Sequence, residues 1–241
     1  MFRTRFGVVL VLCAAGFGMP VFQAAAQDDQ GFVTLFNGKD LTGWKTITSG
    51  KDDGKTFTVN EGAIVVRGNP NGYFYTQKSY KNYVLRFDWK FIKNGNSGLL
   101  VHIQGDHKIW PKSVEVQGMQ TDHGNIFAIG GAKGKFKTDK EAQKKAIKIG
   151  AWNTTEVISN HGALTAKING IQVSTGKGDL TEGPFGFQSE GTELHFKNIK
   201  IKVLEESTST EYQFVVAAGG GDGYKPLFNG TNLDGWKTFL K

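Results

Sequence analysis

Apolar and polar residues alternate along most of the chain with a period of two, which is typical of β-strands buried on one side. The clearest run is Tyr83 to Phe91, where large apolar side chains at the odd positions alternate with Val84 and charged residues. Few segments repeat apolar residues at helical spacing, so the pattern predicts an all-β domain. Further strands are expected at 56–60, 63–67, 73–77, 97–104, 113–119, 152–159, 163–168, 171–174, 184–188 and 194–203.

Turn residues refine this prediction. Asn169-Gly170 is the strongest hairpin signal, because this pair suits a type I′ turn. The apolar phase shifts between Phe196 and Ile199, which predicts a β-bulge near Asn198. The segment from Lys133 to Ile149 is rich in lysine and weakly helical, so we expect a charged surface excursion with one or two helical turns.

Strand phase also predicts where polar side chains point. In the strand at 97–104, His102 is expected to face the side opposite Val101 and Ile103. In the strand at 113–119, Val114 and Val116 should face the core, so that Glu115 and Gln117 face the other surface. We therefore expect His102 and Glu115 to converge in one hollow.

The two ends of the chain differ in composition from the middle. Residues 1–26 are typical of a secretory signal peptide, with Arg3 and Arg5, an apolar stretch and an Ala-x-Ala cleavage site at 24–26. The alternative is a signal anchor that is never cut. With cleavage, the protein is expected to be secreted or periplasmic and to have no membrane segment.

The chain repeats itself near its end. LFNGKDLTGWKT at 35–46 recurs as LFNGTNLDGWKT at 227–238. Repetition at about one domain length indicates the start of a second copy. We expect one domain at 32–204, a flexible linker at 205–223 and the start of a truncated repeat at 224–241. The tail is expected to be poorly ordered, or to dock where the opening segment of the first copy would sit.

Charge and cysteine content exclude several classes of function. The formal net charge of +7 comes from scattered lysines, and no nucleic-acid-binding module is recognisable. We therefore expect no nucleic-acid partner. Cys13 is the single cysteine and lies in the predicted leader, so the mature chain has no disulfide and no thiol nucleophile. The oligomeric state is left open.

The chain contains, in order, the motifs LFNGKDLTGW, NSGLLVH, WPKSVEVQ, GAWNTTEVI, INGIQV and GPFGFQSEGTELHFKNIKIK. In their order and spacing, these motifs resemble the 3-keto-disaccharide hydrolase family, also described as 3-keto-glucoside lyases and hydratases. The resemblance covers residues 32–204. It implies a concanavalin-A-like jelly roll, a β-sandwich of two curved antiparallel sheets with a concave face that holds carbohydrate.

The resemblance implies cleavage of glycosides already oxidised to a ketone at C3. A base removes the C2 proton, the C1 leaving group departs by elimination, and water adds later. His102 and Glu115 are the candidate catalytic pair, and either could be the base or a ligand of a divalent metal ion, which the resemblance also suggests. The candidate substrate-binding residues are Gln117, Lys112 (for the enolate oxygen), Trp110, Gln188 and Glu190.

Each candidate also has an ordinary structural interpretation. On this interpretation His102 is a hydrogen-bonded sheet residue, Glu115 a surface charge and Trp110 a core residue. We interpret His107, His123, His161 and His195 as exposed, and Trp44 and Trp152 as core. Two other functions stay open: a non-catalytic carbohydrate-binding module on the same fold, and a jelly-roll glycosidase. The glycosidase is disfavoured because the strand reads E-V-Q and lacks the paired carboxylates of E-x-D-x-x-E.

Overall fold

The computed structural model describes residues 29–204. The predicted leader, linker and repeated tail lie outside these residues. Within 29–204 no helix has the length and apolar character needed to cross a membrane. The elements, in chain order, are β1 Val33–Thr34, β2 Trp44–Thr48, β3 Phe57–Asn60, β4 Ala63–Val66, β5 Gly72–Thr76, β6 Tyr83–Phe91, β7 Gly98–Gln104, β8 Lys112–Gln117, β9 Ile126–Ile129, β10 Gly134–Thr138, α1 Lys140–Ala146, β11 Asn153–Asn160, β12 Ala163–Ile168, β13 Ile171–Gly178, β14 Gly186–Ser189 and β15 Leu194–Val203.

These strands form two antiparallel sheets. The larger sheet has the order β10-β13-β12-β11-β6-β15-β4-β3, with β1 also paired to β15. The smaller sheet has six strands in the order β2-β5-β14-β7-β8-β9. The all-β jelly-roll sandwich expected from the sequence is thus confirmed.

The core fills the space between the sheets and is dominated by aromatic rings. Phe187 of the smaller sheet packs against Phe87 and Phe196 of the larger one, with ring centroids 4.9 and 4.7 Å apart. Trp44 closes one end against Phe74 at 5.1 Å and is buried, as predicted. The inward positions of both sheets therefore supply the apolar burial that stabilises the fold.

The predicted turns are present. Asn169 and Gly170 both have positive φ, 49° and 84°, as a type I′ turn requires. The register of β15 shifts between Lys197 and Lys200, and Asn198 has a φ of 51°, which confirms the predicted bulge. The lysine-rich excursion contains β10, which the sequence did not indicate, followed by α1.

The N-terminal segment of α1 is capped by Asp139, whose carboxylate accepts hydrogen bonds from the backbone amides of Glu141 and Ala142. This satisfies two donors that the first turn of a helix leaves without partners. The predicted one or two helical turns are confirmed in this short helix.

Two predictions of exposure and burial were wrong. His123 is buried, because its ring stacks on Trp89 at 3.9 Å and its Nε2 hydrogen-bonds Thr155 Oγ1 at 2.8 Å. Trp152 is only half-buried, with the Lys197 ammonium 4.1 Å above its ring. An alternation pattern cannot identify such partners, since they come from distant strands.

Candidate active site

Glu115 projects from the outer face of the six-stranded sheet, as its strand phase predicted. Val114 and Val116 belong to the main core, so the residue between them points away from it. Its cross-strand partner Leu100 belongs to a second, separate apolar cluster on this outer face. One register row crosses all six strands on this face and contains Lys45, Tyr75, Gly186, Leu100, Glu115 and Phe127.

A glycine makes room for the polar group at the centre of this face. A Cβ at Gly98 would lie 2.5 Å from Glu115 Oε1 and 2.2 Å from Gln188 Oε1, so both side chains fold over this position. Gln188 Nε2 donates a hydrogen bond of 3.3 Å to Glu115 Oε2. Gln188 Oε1 is buried and has no hydrogen-bond partner in the described part of the chain. Within the described residues, Gln188 therefore presents an acceptor open to a ligand beside the carboxyl group of Glu115.

The surroundings of Glu115 favour its neutral form. The side chain is buried, with 6% of the residue exposed. Burial, opposed by the hydrogen bond from Gln188 and reinforced by the charge of Glu190, raises the pKa of Glu115 to about 7. Burial also raises the pKa of Glu190, against a hydrogen bond from Asn96. The site thus holds two carboxyl groups with pKa values above their ordinary range.

An aromatic group occupies another part of the same outer face. The ring of His107, in the loop between β7 and β8, stacks on Tyr75 with centroids 4.1 Å apart. Tyr73 lies beside Tyr75 at 5.5 Å and pairs in register with Gln188. Sequence reasoning missed this group, because it interpreted His107 as an exposed loop residue. His107 is exposed, but its position on Tyr75 depends on the path of the loop.

His102 does not join Glu115, and the predicted strand phase is wrong at this residue. In β7 the register shifts between Val101 and Gln104, so that His102 and Ile103 together lie opposite one residue of β8. His102 has a φ of 55°, and the bulge turns its side chain to the inner face. Ile103 then takes the outer position, in the second apolar cluster.

The inner position of His102 is fully enclosed. Its Nδ1 lies 3.0 Å from the Leu180 carbonyl oxygen and its Nε2 lies 3.0 Å from Ser159 Oγ, on the other sheet. Burial lowers the pKa of His102 to about 4, so the ring is neutral near pH 7. The hypothesis that imidazole 102 and carboxylate 115 share one hollow is not supported, because they lie on opposite faces of the sheet.

The other candidates divide between the two faces. Gln117 shares the outer phase of Glu115, and its Oε1 accepts a hydrogen bond from the Met119 amide at 2.8 Å. Lys112 has the phase of Val114 and lies at the end of β8, so it does not share the outward direction of Glu115, and its candidate role at the enolate oxygen stays a prediction. Trp110 is half-buried in the loop before β8, with a φ of 58°.

The predicted ligand pair does not fit a divalent metal ion. His102 and Glu115 lie on opposite faces of the sheet, and one ion cannot contact both. Within residues 29–204, no group of three or more His, Cys, Asp or Glu side chains is arranged to hold a metal.

Substituting Gly98 by alanine tests the arrangement of Glu115 and Gln188. The three atoms nearest to the added Cβ all belong to the ends of the Glu115 and Gln188 side chains, which can shift, so the fold should be retained. Misplacing a reacting group by about 1 Å can cost up to roughly 100-fold in rate. We expect Gly98→Ala to lower kcat/KM about tenfold, with an unchanged unfolding midpoint. The control is Met119→Ala, on the exposed turn after β8, which should change neither the kinetics nor the unfolding midpoint. Unchanged kinetics in Gly98→Ala would contradict the assignment.

Comparison with known proteins matches this fold to one family. A family model for the 3-keto-alpha-glucoside-1,2-lyase-like domain matches residues 31–202. The chain is 22% identical to a 3-keto-disaccharide hydrolase of Bacteroides thetaiotaomicron, over 74% of this chain and 80% of the relative.

Solved structures show the same architecture. A candidate glycosyl hydrolase from Parabacteroides distasonis is 27% identical, with a TM-score of 0.54, and the match covers 73% of this chain and 95% of that one. The carbohydrate-binding module CBM66 from Bacillus subtilis is 15% identical, with a TM-score of 0.50, and covers 66% of this chain and 95% of its own. At that identity the second likeness shows the fold alone.

Proposed function

The chain belongs to the 3-keto-alpha-glucoside-1,2-lyase-like family, and from that premise we propose that it cleaves glycosides oxidised to a ketone at C3, with Glu115 as the base. At the level of the family it is a carbohydrate-active, glycosidase-like protein. The observation that carries the finer proposal is one buried carboxyl group on the outer face, with a pKa of about 7. A general base works best when its pKa lies near the working pH.

The reaction begins at the carbon next to the ketone. The C3 carbonyl acidifies the C2 proton, and the Glu115 carboxylate takes that proton while the C2–H electron pair forms an enolate. The enolate then expels the C1 oxygen substituent and leaves a C1=C2 double bond. Addition of water across this bond, hydroxyl to C1 and proton to C2, gives the free 3-keto sugar.

The neighbouring side chains have distinct roles in this proposal. Glu115, which carries the proton taken from C2, passes that proton to the departing oxygen. Burial and the charge of Glu190 raise the pKa of this base. The Oε1 of Gln188, which has no hydrogen-bond partner among residues 29–204, accepts a hydrogen bond from a sugar hydroxyl, and this contact satisfies a buried acceptor. Gln117, on the same face, is a second residue for binding sugar hydroxyls.

We also propose that this chemistry takes place outside the cytoplasm, after removal of residues 1–26. This proposal rests on the sequence pattern alone. N-terminal sequencing of the protein recovered from the periplasm or medium would show a start near residue 27. Recovery of the intact N-terminus in the membrane fraction would instead support a signal anchor.

The proposed activity is tested directly with an oxidised substrate. The protein is incubated with an aryl 3-keto-glucoside, with and without a chelator, and release of the aryl alcohol is followed. We expect release in both conditions, and none from the unoxidised glucoside, which has no acidified C2 proton. Binding of glycan without release, with any added metal, would favour a binding module. Release that stops with chelator would show that a metal takes part.

The pH dependence of the rate should follow Glu115. Because the base acts in its ionised form, kcat/KM is expected to rise with pH and to level off above about 7. Glu190→Gln removes a charge that raises the pKa of Glu115, so the rise should move to lower pH. Glu193→Gln, at an exposed position paired with His195, is the matched control and should leave the profile in place. A flat profile in the wild-type protein would contradict the role of Glu115.

A further inference from the structure

The ring of His107 is held flat on the outer face of the smaller sheet. It stacks on Tyr75 with an interplanar angle of 21°, and its Nδ1 lies 3.4 Å from the Tyr73 hydroxyl. The same hydroxyl lies 3.3 Å from the Lys108 carbonyl oxygen, to which it can donate a hydrogen bond that fixes the loop. Tyr75 is buried, whereas His107 is exposed. One face of the imidazole is therefore packed on Tyr75, and the residue remains open to solvent.

This ring lies at a defined place relative to Glu115. Tyr75 and Glu115 belong to the same register row, with β14 and β7 between their strands. Three strand spacings of about 4.8 Å separate them by roughly 14 Å along the sheet. The positions between them are Gly186, which has no side chain, and Leu100, which is apolar. A ligand longer than one sugar ring could therefore contact both groups.

The chemistry of the ring suits a sugar face. The C–H face of a pyranose is apolar and packs on flat, uncharged rings. Aromatic side chains commonly line ligand sites for such apolar contacts. Partial burial and the charge of Lys45 lower the pKa of His107, and the charge of Asp106 opposes them with a smaller effect. The lowered pKa favours the neutral imidazole. We propose that His107, supported by Tyr75, binds the second sugar of a disaccharide substrate, the part that departs when the C1–O bond breaks. This inference rests on the proposed function for the position of the oxidised ring.

The test compares two substrates that share the oxidised ring. One is a 3-keto disaccharide and the other is methyl 3-keto-glucoside, whose leaving group is too small to reach His107. His107→Ala is expected to raise KM for the disaccharide by roughly 3- to 10-fold, the range for one lost stacking contact. Its kcat/KM for the methyl glycoside should be unchanged. His107→Phe keeps a flat ring and should stay within about twofold of the wild type for both substrates.

Controls separate this inference from the proposed chemistry. His161→Asn, at an exposed turn on the larger sheet, should change neither KM. Equal losses for both substrates in His107→Ala, or no loss for either, would overturn the second-sugar site while leaving the chemistry intact. If the wild-type protein cleaves neither substrate, binding of the unoxidised disaccharide is measured by calorimetry. Weaker binding in His107→Ala, with unchanged glucose binding, would then support the site and reject the chemistry, whereas equal binding would reject both.

Discussion

Replacing Glu115 by glutamine is expected to lower kcat for 3-keto-glycoside cleavage by at least about 100-fold, the lower range for loss of a general base. Glutamine has nearly the same shape and can keep a hydrogen bond to Gln188, but it cannot accept the C2 proton. The measurement is steady-state release of the aryl alcohol near pH 8, where the wild-type carboxyl group is ionised. The control is the double variant Glu115→Gln with Gln117→Glu, which restores a carboxylate to the same face at a different position. It should not recover the lost kcat.

The same substitution should stabilise the fold, and this excludes unfolding as the cause of lost activity. The pKa of Glu115 is raised from 4.5 to about 7 in the folded protein, which corresponds to about 3 kcal/mol. When the pKa of a carboxyl group is higher in the folded protein than in the unfolded chain, the free energy of unfolding falls as pH rises from about 4.5 to 7. Glu115→Gln should therefore be more stable than the wild type by about 2–3 kcal/mol near pH 8, and by much less near pH 5. Urea unfolding at both pH values checks this difference. Normal kcat in a folded Glu115→Gln variant would remove Glu115 from the reaction.

Replacing His102 by alanine is expected to lower the free energy of unfolding by about 3 kcal/mol or more. The change removes a buried ring, takes the imidazole away from the Leu180 carbonyl, and places alanine at positive φ. Ser159 loses one of two hydrogen bonds, since its hydroxyl also donates to the Lys81 carbonyl oxygen. His102→Asn tolerates that backbone conformation and should lose less stability. Both are measured by urea unfolding near pH 8, where the histidine is neutral in the folded and unfolded states.

Activity of the same two variants separates structure from chemistry at His102. Under conditions where His102→Ala is folded by circular dichroism, kcat should stay within about threefold of the wild type. This follows because His102 lies on the inner face and does not reach the site of Glu115. A loss of 100-fold or more in a folded variant would restore His102 as a participant in the reaction.

The sequence predicted the part of the site that depends on regular alternation. Val114 and Val116 are apolar and Glu115 lies between them, so its outward direction followed from strand geometry alone. Gln188 follows Phe187 in the same way, and the structure brings its amide to Glu115. Where each strand keeps its period, side-chain direction needs no further information.

The sequence could not predict the parts that depend on a local irregularity or on a loop. The sequence LLVHI gives no sign of the bulge at His102. Both faces of this strand are buried, so apolar residues occur on both and a shift in phase does not change the apolar pattern. The contact of His107 with Tyr75 depends on the conformation of the loop between β7 and β8, and Tyr75 is distant in the sequence. A structure was needed in both cases because the contacts are tertiary.

The bulge in β7 has an evolutionary consequence. Val101 pairs with Val114 and Gln104 with Lys112, so the extra residue is His102 itself. A chain lacking that one residue would have an unbroken ladder, and Leu100 and Ile103 would keep the directions they already have. A single codon deletion could thus remove the interior imidazole without scrambling either surface, and only the space beside Ser159 would need refilling. Deletion of one residue should therefore be tolerated at position 102 far better than at position 115. Losing Glu115 would turn every later side chain of β8 to the opposite face of the sheet.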